Sequence, residues 1–305
     1  MDTGASLLIA VPAAVLGAAG FGLASAAQQR ATKEVELAPT LSPRLLVELL
    51  ARPLWLIGLL ATVVALALQL VALAFGPITI VQPLLVTGVA FAAGFSALMA
   101  RRRPDPLILL GALLCATGLS TFLLLARPVS VSADEHVDLS TGLPLGIALV
   151  ALVAACLGYA ALVTHPSRVL ALALATGVLY GVTAGLMKVV VGQLTLGVTG
   201  PFGHVTLYVV CVVGPMGFLL SQNTFQQGQM ISPAVAVITS VDPVIAVLIG
   251  VSWLGERLDT SPAALAGECA AAVVVIAGIA FITLRGAALL HRLDESGVTP
   301  RSCSS

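Results

Sequence analysis

The chain has 305 residues, of which 59% are hydrophobic and 9% charged, with a mean hydropathy of +1.09. Soluble domains carry about 25% charged residues, so a water-soluble globule is excluded: it could not hide this much apolar surface. The 14 Lys and Arg balance the 14 Asp and Glu, which leaves neither a basic field to hold nucleic acid nor an acidic tail for a cationic partner.

Crossing a bilayer's hydrocarbon takes about 20 mainly apolar residues, and nine segments reach that length. Ala5 to Ala27 is the first. It ends at small residues, Ala24-Ser25-Ala26, as a secretory signal would, but its start carries Asp2 and the apolar run is nearer a full span than a signal core; it is expected to stay as a helix. Gln28 to Pro53 then forms a connection in which Leu41 to Leu50 is expected to lie as an amphipathic helix at the interface. Leu54 to Phe75, Ile78 to Met99 and Leu107 to Ala126 follow, then a loop at 128–142. Leu143 to Thr164, Val169 to Val191, His204 to Gln222, Ile231 to Leu254 and Pro262 to Leu284 complete the set, and 286–305 is a polar tail. The expectation is an all-α polytopic membrane protein of about nine transmembrane helices, with the lipid bilayer as its first partner.

Lys and Arg near helix ends stay on the cytoplasmic side. In a nine-span arrangement eleven of them, including Arg101-Arg102-Arg103, fall on one side, and Arg127 and Arg257 on the other. The N-terminus is thus expected outside, the loop 128–142 external, and the C-terminus inside. Arg outnumbers Lys 12 to 2 amid abundant Ala, Gly, Val and Leu, a bias read as that of a GC-rich bacterial genome and hence a cytoplasmic membrane. Of the cysteines, Cys115, Cys156, Cys211 and Cys269 lie in apolar runs and Cys303 in the tail. No CxxC or Cys/His cluster supports a disulfide scaffold or zinc site.

An offset of 156 residues sets Pro77 on Pro233, Arg101 on Arg257, Pro106 on Pro262 and Gly111 on Gly267. An offset of 159 sets Phe21-Gly22 on Tyr180-Gly181, and 160 sets Gln82-Pro83 on Asp242-Pro243. The third span exits inside and the eighth outside, so residues 1–127 and 143–285 read as two repeats of opposite topology, the plan by which many secondary transporters build alternating access.

Ser232-Pro233-Ala234-Val235-Ala236-Val237, Asp242-Pro243-Val244-Ile245-Ala246 and Trp253-Leu254-Gly255-Glu256-Arg257-Leu258, with Gly267 in the next helix, resemble the signature of EamA-type members of the drug/metabolite transporter (DMT) superfamily. Gly22-Leu23-Ala24-Ser25, Gln28-Gln29-Arg30, Trp55, Phe75-Gly76-Pro77, Val81-Gln82-Pro83-Leu84 and Gly181 to Lys188 are similar to the NIPA-type magnesium-transporter branch. The resemblance covers most of Gly17 to Leu284 and implies the family's ten-helix plan minus its first helix. Ala67-Leu68 before Gln69 and Ala100-Arg101 stand where that branch has Gly-Glu and Glu-Arg. Both changes remove carboxylates that Mg²⁺ prefers.

Three ionisable residues, Lys188, Asp242 and Glu268, sit inside the expected spans, where a charge at the helix centre costs about 2.5–3.5 kcal/mol. Asp242 precedes Pro243, which removes the amide that would bond to the Thr239 carbonyl. A kink with a free carbonyl and a carboxylate is a place for a proton or cation, or else a tie to a neighbouring helix. Glu268 reads equally as a substrate contact or a structural pair. Lys188 reads as a pathway residue or as one that snorkels to the interface. Glu256 and Arg257 read as a rim pair, while Gln69, Gln82, Thr87, Gln222 and Asn223 line a path or bond helices together. Pro83, Pro233 and Pro243 are expected kinks. Tyr159, Tyr180 and Trp253 read as packing anchors, and Gly177, Gly181 and Gly185 as a close-packing seam.

No Walker loop, HExxH, GxSxG or paired-carboxylate motif occurs, so an enzyme is not expected and no cofactor is called for. The leading expectation is a secondary transporter of a small solute. The alternatives are a carrier for Mg²⁺ or another divalent cation and a non-transporting membrane scaffold; whether the chain works alone or as a homodimer is left open.

Overall fold

The computed structural model describes residues 3–37, 39–75, 81, 84–126, 139–163, 167–195, 199–228, 231–254 and 261–295. The helices are α1 (Thr3–Thr32), α2 (Arg44–Leu50), α3 (Pro53–Phe75), α4 (Gly88–Met99), α5 (Pro106–Ala126), α6 (Leu139–Leu162), α7 (Ser167–Thr195), α8 (Val205–Gln227), α9 (Ile231–Leu254) and α10 (Pro262–Glu295), with a 3-10 turn at Gly200–Gly203. No strand occurs among the described residues. Eight of the helices are long and apolar enough to cross a membrane, so the protein is an all-helical, multi-pass membrane protein. The third expected span, Ile78 to Met99, falls partly outside the described residues and is present as a shorter apolar helix, Leu84–Met99.

Several helices outrun their apolar segments. α1 continues through Gln28 to Thr32, α8 through Gln227, and α10 to Glu295, so 286–295 is helix and not an irregular tail. α6 begins at Leu139, inside the stretch expected as loop. In the connection, α2 forms within the expected amphipathic stretch, with Leu45 and Leu49 fully buried and Val47 and Leu50 exposed.

Helix starts follow from local chemistry. α5 and α10 both open on proline, where the missing amide sacrifices no helical bond. Each is capped by the preceding residue: Asp105 Oδ1 accepts from the Leu107 and Ile108 amides at 2.9 and 3.3 Å, and Ser261 Oγ from the Ala264 amide at 3.2 Å.

Packing divides along the same lines. α1 lies against α3 and α4, and α7 against α8 and α9, while α6 packs mainly on α7. α4 meets α9, and α5 runs along α10. Glycines set these approaches. A Cβ on Gly22 would stand 2.7 Å from the Ala92 amide nitrogen of α4, and one on Gly181 2.6 Å from the Asp242 carbonyl oxygen of α9. Gly177, Gly181 and Gly185 all face α9, at Val241, Ile245 and Ile249, so the expected seam is filled from within the chain. Between α5 and α10, Gly111 meets Ile282, Gly118 meets Val275 and Gly278 meets Cys115. The largest apolar core joins Val89 and Ala92 of α4, Ala112 and Cys115 of α5, Phe225 of α8, Ala234 to Ile238 of α9 and Ile282 of α10.

Candidate functional site

Polar side chains inside an apolar bundle must find partners, because water is not there to supply them. Near the end of the bundle that carries the 33–52 connection, hereafter the connector end, three helices solve this jointly. Trp55 Nε1 of α3 donates to Gln222 Oε1 of α8 at 2.9 Å, and Gln222 Nε2 donates to Gln28 Oε1 of α1 at 3.0 Å. Gln28 Nε2 then donates to Thr62 Oγ1 of α3 at 3.2 Å. Gln28, Trp55 and Gln222 are all buried. The same end closes over the last turn of α8, whose carbonyls lack helical partners. Gln29 Nε2 donates to the Gly228 carbonyl at 3.2 Å, Lys33 Nζ to the Gln226 carbonyl, and Gln226 Nε2 to the Glu36 carbonyl at 2.7 Å. Burial there holds the Lys33 ammonium below the ordinary lysine range.

Asp242 stands midway along α9, immediately before the internal Pro243. The break leaves the Thr239 carbonyl without its helical donor, and Thr239 Oγ1 turns instead to the Val235 carbonyl at 2.7 Å. Protein surrounds the Asp242 carboxylate on nearly every side, yet no hydrogen bond or ion pair reaches it among the described residues. It is nonetheless only half-buried by surface area, as is the equally deep Tyr180 of α7. The close approach at Gly181 brings α7 onto α9, and the neighbouring Tyr180 phenol hydrogen-bonds with Ser221 of α8 within electrostatic reach of Asp242. Ser221 Oγ also accepts from Gln222 Nε2 at 3.2 Å and donates to the Phe218 carbonyl at 2.7 Å. A polar line thus runs from the deep carboxylate's surroundings through Tyr180 and Ser221 to the Gln222 cluster.

The expected residues therefore divide. Gln222 falls on this line, and Asp242 lies within electrostatic reach of its Tyr180 end. Asn223 is fully buried, with Nδ2 on the Leu219 carbonyl at 2.9 Å and Oδ1 without a partner. Glu268 lies on α10 next to Gly267, which abuts Leu125 of α5; one of its carboxylate oxygens is buried without a partner, and nothing joins it to Asp242. Gln69 is half-buried on α3, its backbone nitrogen beside Gly17 of α1. Thr87 Oγ1 bonds the Leu84 carbonyl at 2.6 Å. Lys188 belongs to α7, but its side chain lies outside the described residues, as do Gln82, Pro83, Glu256 and Arg257 altogether. Pro243 is the internal break of α9; Pro233 sits in that helix's first turn, where its missing amide removes no helical bond, so it starts the helix and does not kink it.

Gln28, Trp55, Ser221 and Tyr180 were not expected as site residues. Their signal was a polar residue at the end of an apolar run, Gln28-Gln29 and Ser221 to Gln227, read as the place where helix stops. Tyr180 was expected as a packing anchor and has a polar partner instead.

At the same connector end, where Arg30 of α1 also reaches the Met99 carbonyl that ends α4, Arg285 of α10 binds the Asp105 cap of α5, with Nη2 to Oδ2 at 2.9 Å and Nε to Oδ2 at 3.2 Å. This guanidinium holds the Asp105 carboxyl below the usual carboxylate range. Among the described residues no three His, Cys, Asp or Glu side chains come together as a metal site.

These features define a helical, multi-pass membrane protein with a buried polar cluster at its connector end. The chain is similar to an uncharacterized protein of Corynebacterium glutamicum, 27% identical over 215 residues that span 70% of this chain and 73% of that one. No family model and no solved structure matches it.

Proposed function

We propose that this chain is a secondary transporter of the drug/metabolite superfamily, EamA-like, that moves a small solute by alternating access, with Asp242 as its proton or cation site. The observation that carries the reading is an unpartnered carboxylate at a helix break, deep in an apolar bundle. A buried charge of this kind is costly and marks a pathway by default. The inverted-repeat plan is supported by packing. α1 with α3, α4 and α5 corresponds to α7 with α8, α9 and α10, and the two sets pack in the same order. The Gly22 and Gly181 crossings and the capped starts Asp105-Pro106 and Ser261-Pro262 fall at corresponding places. Helices nearest a pseudo-two-fold axis should meet their own counterparts, and α4 with α9 and α5 with α10 do. α6 has no counterpart, in keeping with nine spans, an external N-terminus and a cytoplasmic C-terminus in a bacterial cell membrane.

Reconstitution in liposomes tests this. Solute uptake should follow an imposed proton or substrate gradient, collapse in Asp242→Asn with insertion intact, and return in part in Asp242→Glu. Uptake unchanged in Asp242→Asn, with the same pH profile, would remove the residue from coupling. Mg²⁺ flux lost in Asp242→Asn, without flux of any solute, would replace the solute by a divalent cation.

A further inference from the structure

If the two repeats are equivalent, each contact between them at one end of the bundle has a counterpart at the other. Here the two ends differ. At the connector end α1 crosses to pack on α8 and α9 of the second repeat, a closer approach than its counterpart α7 makes to α3 or α4. The polar bonds follow this asymmetry: Trp55 and Gln28 bind Gln222 across the repeat boundary, and Gln29, Lys33 and Glu36 bind the last turn of α8. At the far end the residue that corresponds to Gln222 is Gln69. It lies six residues before the end of α3, as Gln222 lies five before the end of α8, and it is half-buried. Extending the Phe21-Gly22 and Tyr180-Gly181 match along the helices places Gln28 on Met187, which is 44% exposed.

We infer that Gln28, Trp55 and Gln222 are a gate that holds the connector end shut, and that Gln69 of α3 closes on α7 around Met187 when this gate opens. This rests on the alternating-access reading. It identifies the present arrangement as closed at the connector end. A lock of this composition suits a switch. Each amide is satisfied while shut, and in the open state each is bathed by the water that enters, so neither state strands a buried donor. Two such states can therefore lie close in free energy, which is what a cycling gate needs.

The test uses the full chain with its 5 cysteines replaced by alanine, in sealed membrane vesicles, and a membrane-impermeant thiol reagent applied from each side. Single probes are placed at Ala31, buried against Trp55 and the Leu45 and Leu49 of α2, and at Gln69. With the gate intact, Gln69→Cys should react and Ala31→Cys should not. Trp55→Phe, which keeps the ring but removes the donor, and Gln222→Leu should each reverse this, raising Ala31→Cys labelling and lowering Gln69→Cys labelling several-fold. The pair Gln69→Cys with Met187→Cys should cross-link more in the unlocked variants. Labelling that rises at both ends together, or that stays unchanged in both variants, would overturn the gate. Reversal of labelling in a chain that moves no solute would leave the gate standing and sink the transport reading; solute flux with unchanged labelling would do the opposite.

Discussion

At the scale of single residues, the Asp105–Arg285 pair ties the start of α5 to α10, and its carboxylate also caps α5. A carboxyl held below its unfolded value stabilises the fold above about pH 4 and ceases to do so as the pH falls through the folded value. Thermal unfolding in detergent should therefore show Asp105→Asn about 1 kcal/mol less stable than the parent at neutral pH, as suits a partly solvated pair, with the gap closing on acidification. A gap that widened in acid would contradict the assignment. The place of Asp242 beside the break of α9 was legible in the sequence, because a proline inside an apolar run marks where a helix loses a bond. Gln28 was not legible, because a glutamine at the end of a span reads the same whether it meets water or another amide; only the fold brings Gln222 to it. Arg101 makes a similar point. It has φ of 53° where α4 ends, a place usually given to glycine, and nothing in Arg101-Arg102-Arg103 announced that turn.

Among elements, the glycine crossings carry the sharpest expectation, since the space at each is a fixed property of two backbones. Gly181→Ala would put a Cβ 2.5 Å from that of Ile245, and because a helix must move to relieve this, the cost should reach about 2 kcal/mol. Gly94 of α4 has nothing within 4 Å of its would-be Cβ; Gly94→Ala should gain about 0.5–1 kcal/mol from reduced backbone freedom in the unfolded chain. Denaturant unfolding of the two variants should move in opposite directions, and equal effects would mean that the α7–α9 approach is looser than described. Apolar run length was enough to find the helices but not their ends. The extra turns of α1 and α8 are polar, and they persist because each completes the other: side chains of and just after α1 accept the task of binding the carbonyls that end α8. That reciprocity is a tertiary property, absent from any one segment.

For the whole molecule, the charge asymmetry makes a prediction about placement. A reporter fused after Ser305 and one inserted near Arg102 should both read as cytoplasmic, and one within 130–138 as external. An external C-terminus would break the nine-span arrangement and the opposed topology of the repeats with it. Fold class was legible from composition alone, since 59% hydrophobic residues admit few alternatives to a bundle in lipid. The cluster that joins Gln28, Trp55 and Gln222 was not, because its members lie far apart in the chain and only the packed helices bring them together.

α10 runs unbroken for 34 residues, about 51 Å at helical rise, against about 30 Å of hydrocarbon. It is clasped along its first part by the glycine seam with α5 and pinned near the bilayer edge by Asp105 and Arg285. Its last ten residues beyond that pin project about 15 Å as a stiff rod. A rod anchored so close to the seam is a lever with a long inner arm and a short outer one: a rotation of α10 by 10° about its pin would sweep the tip through about 3 Å, so a rearrangement inside the bilayer would reach the aqueous compartment beyond the pin reduced in size but still as a directed displacement.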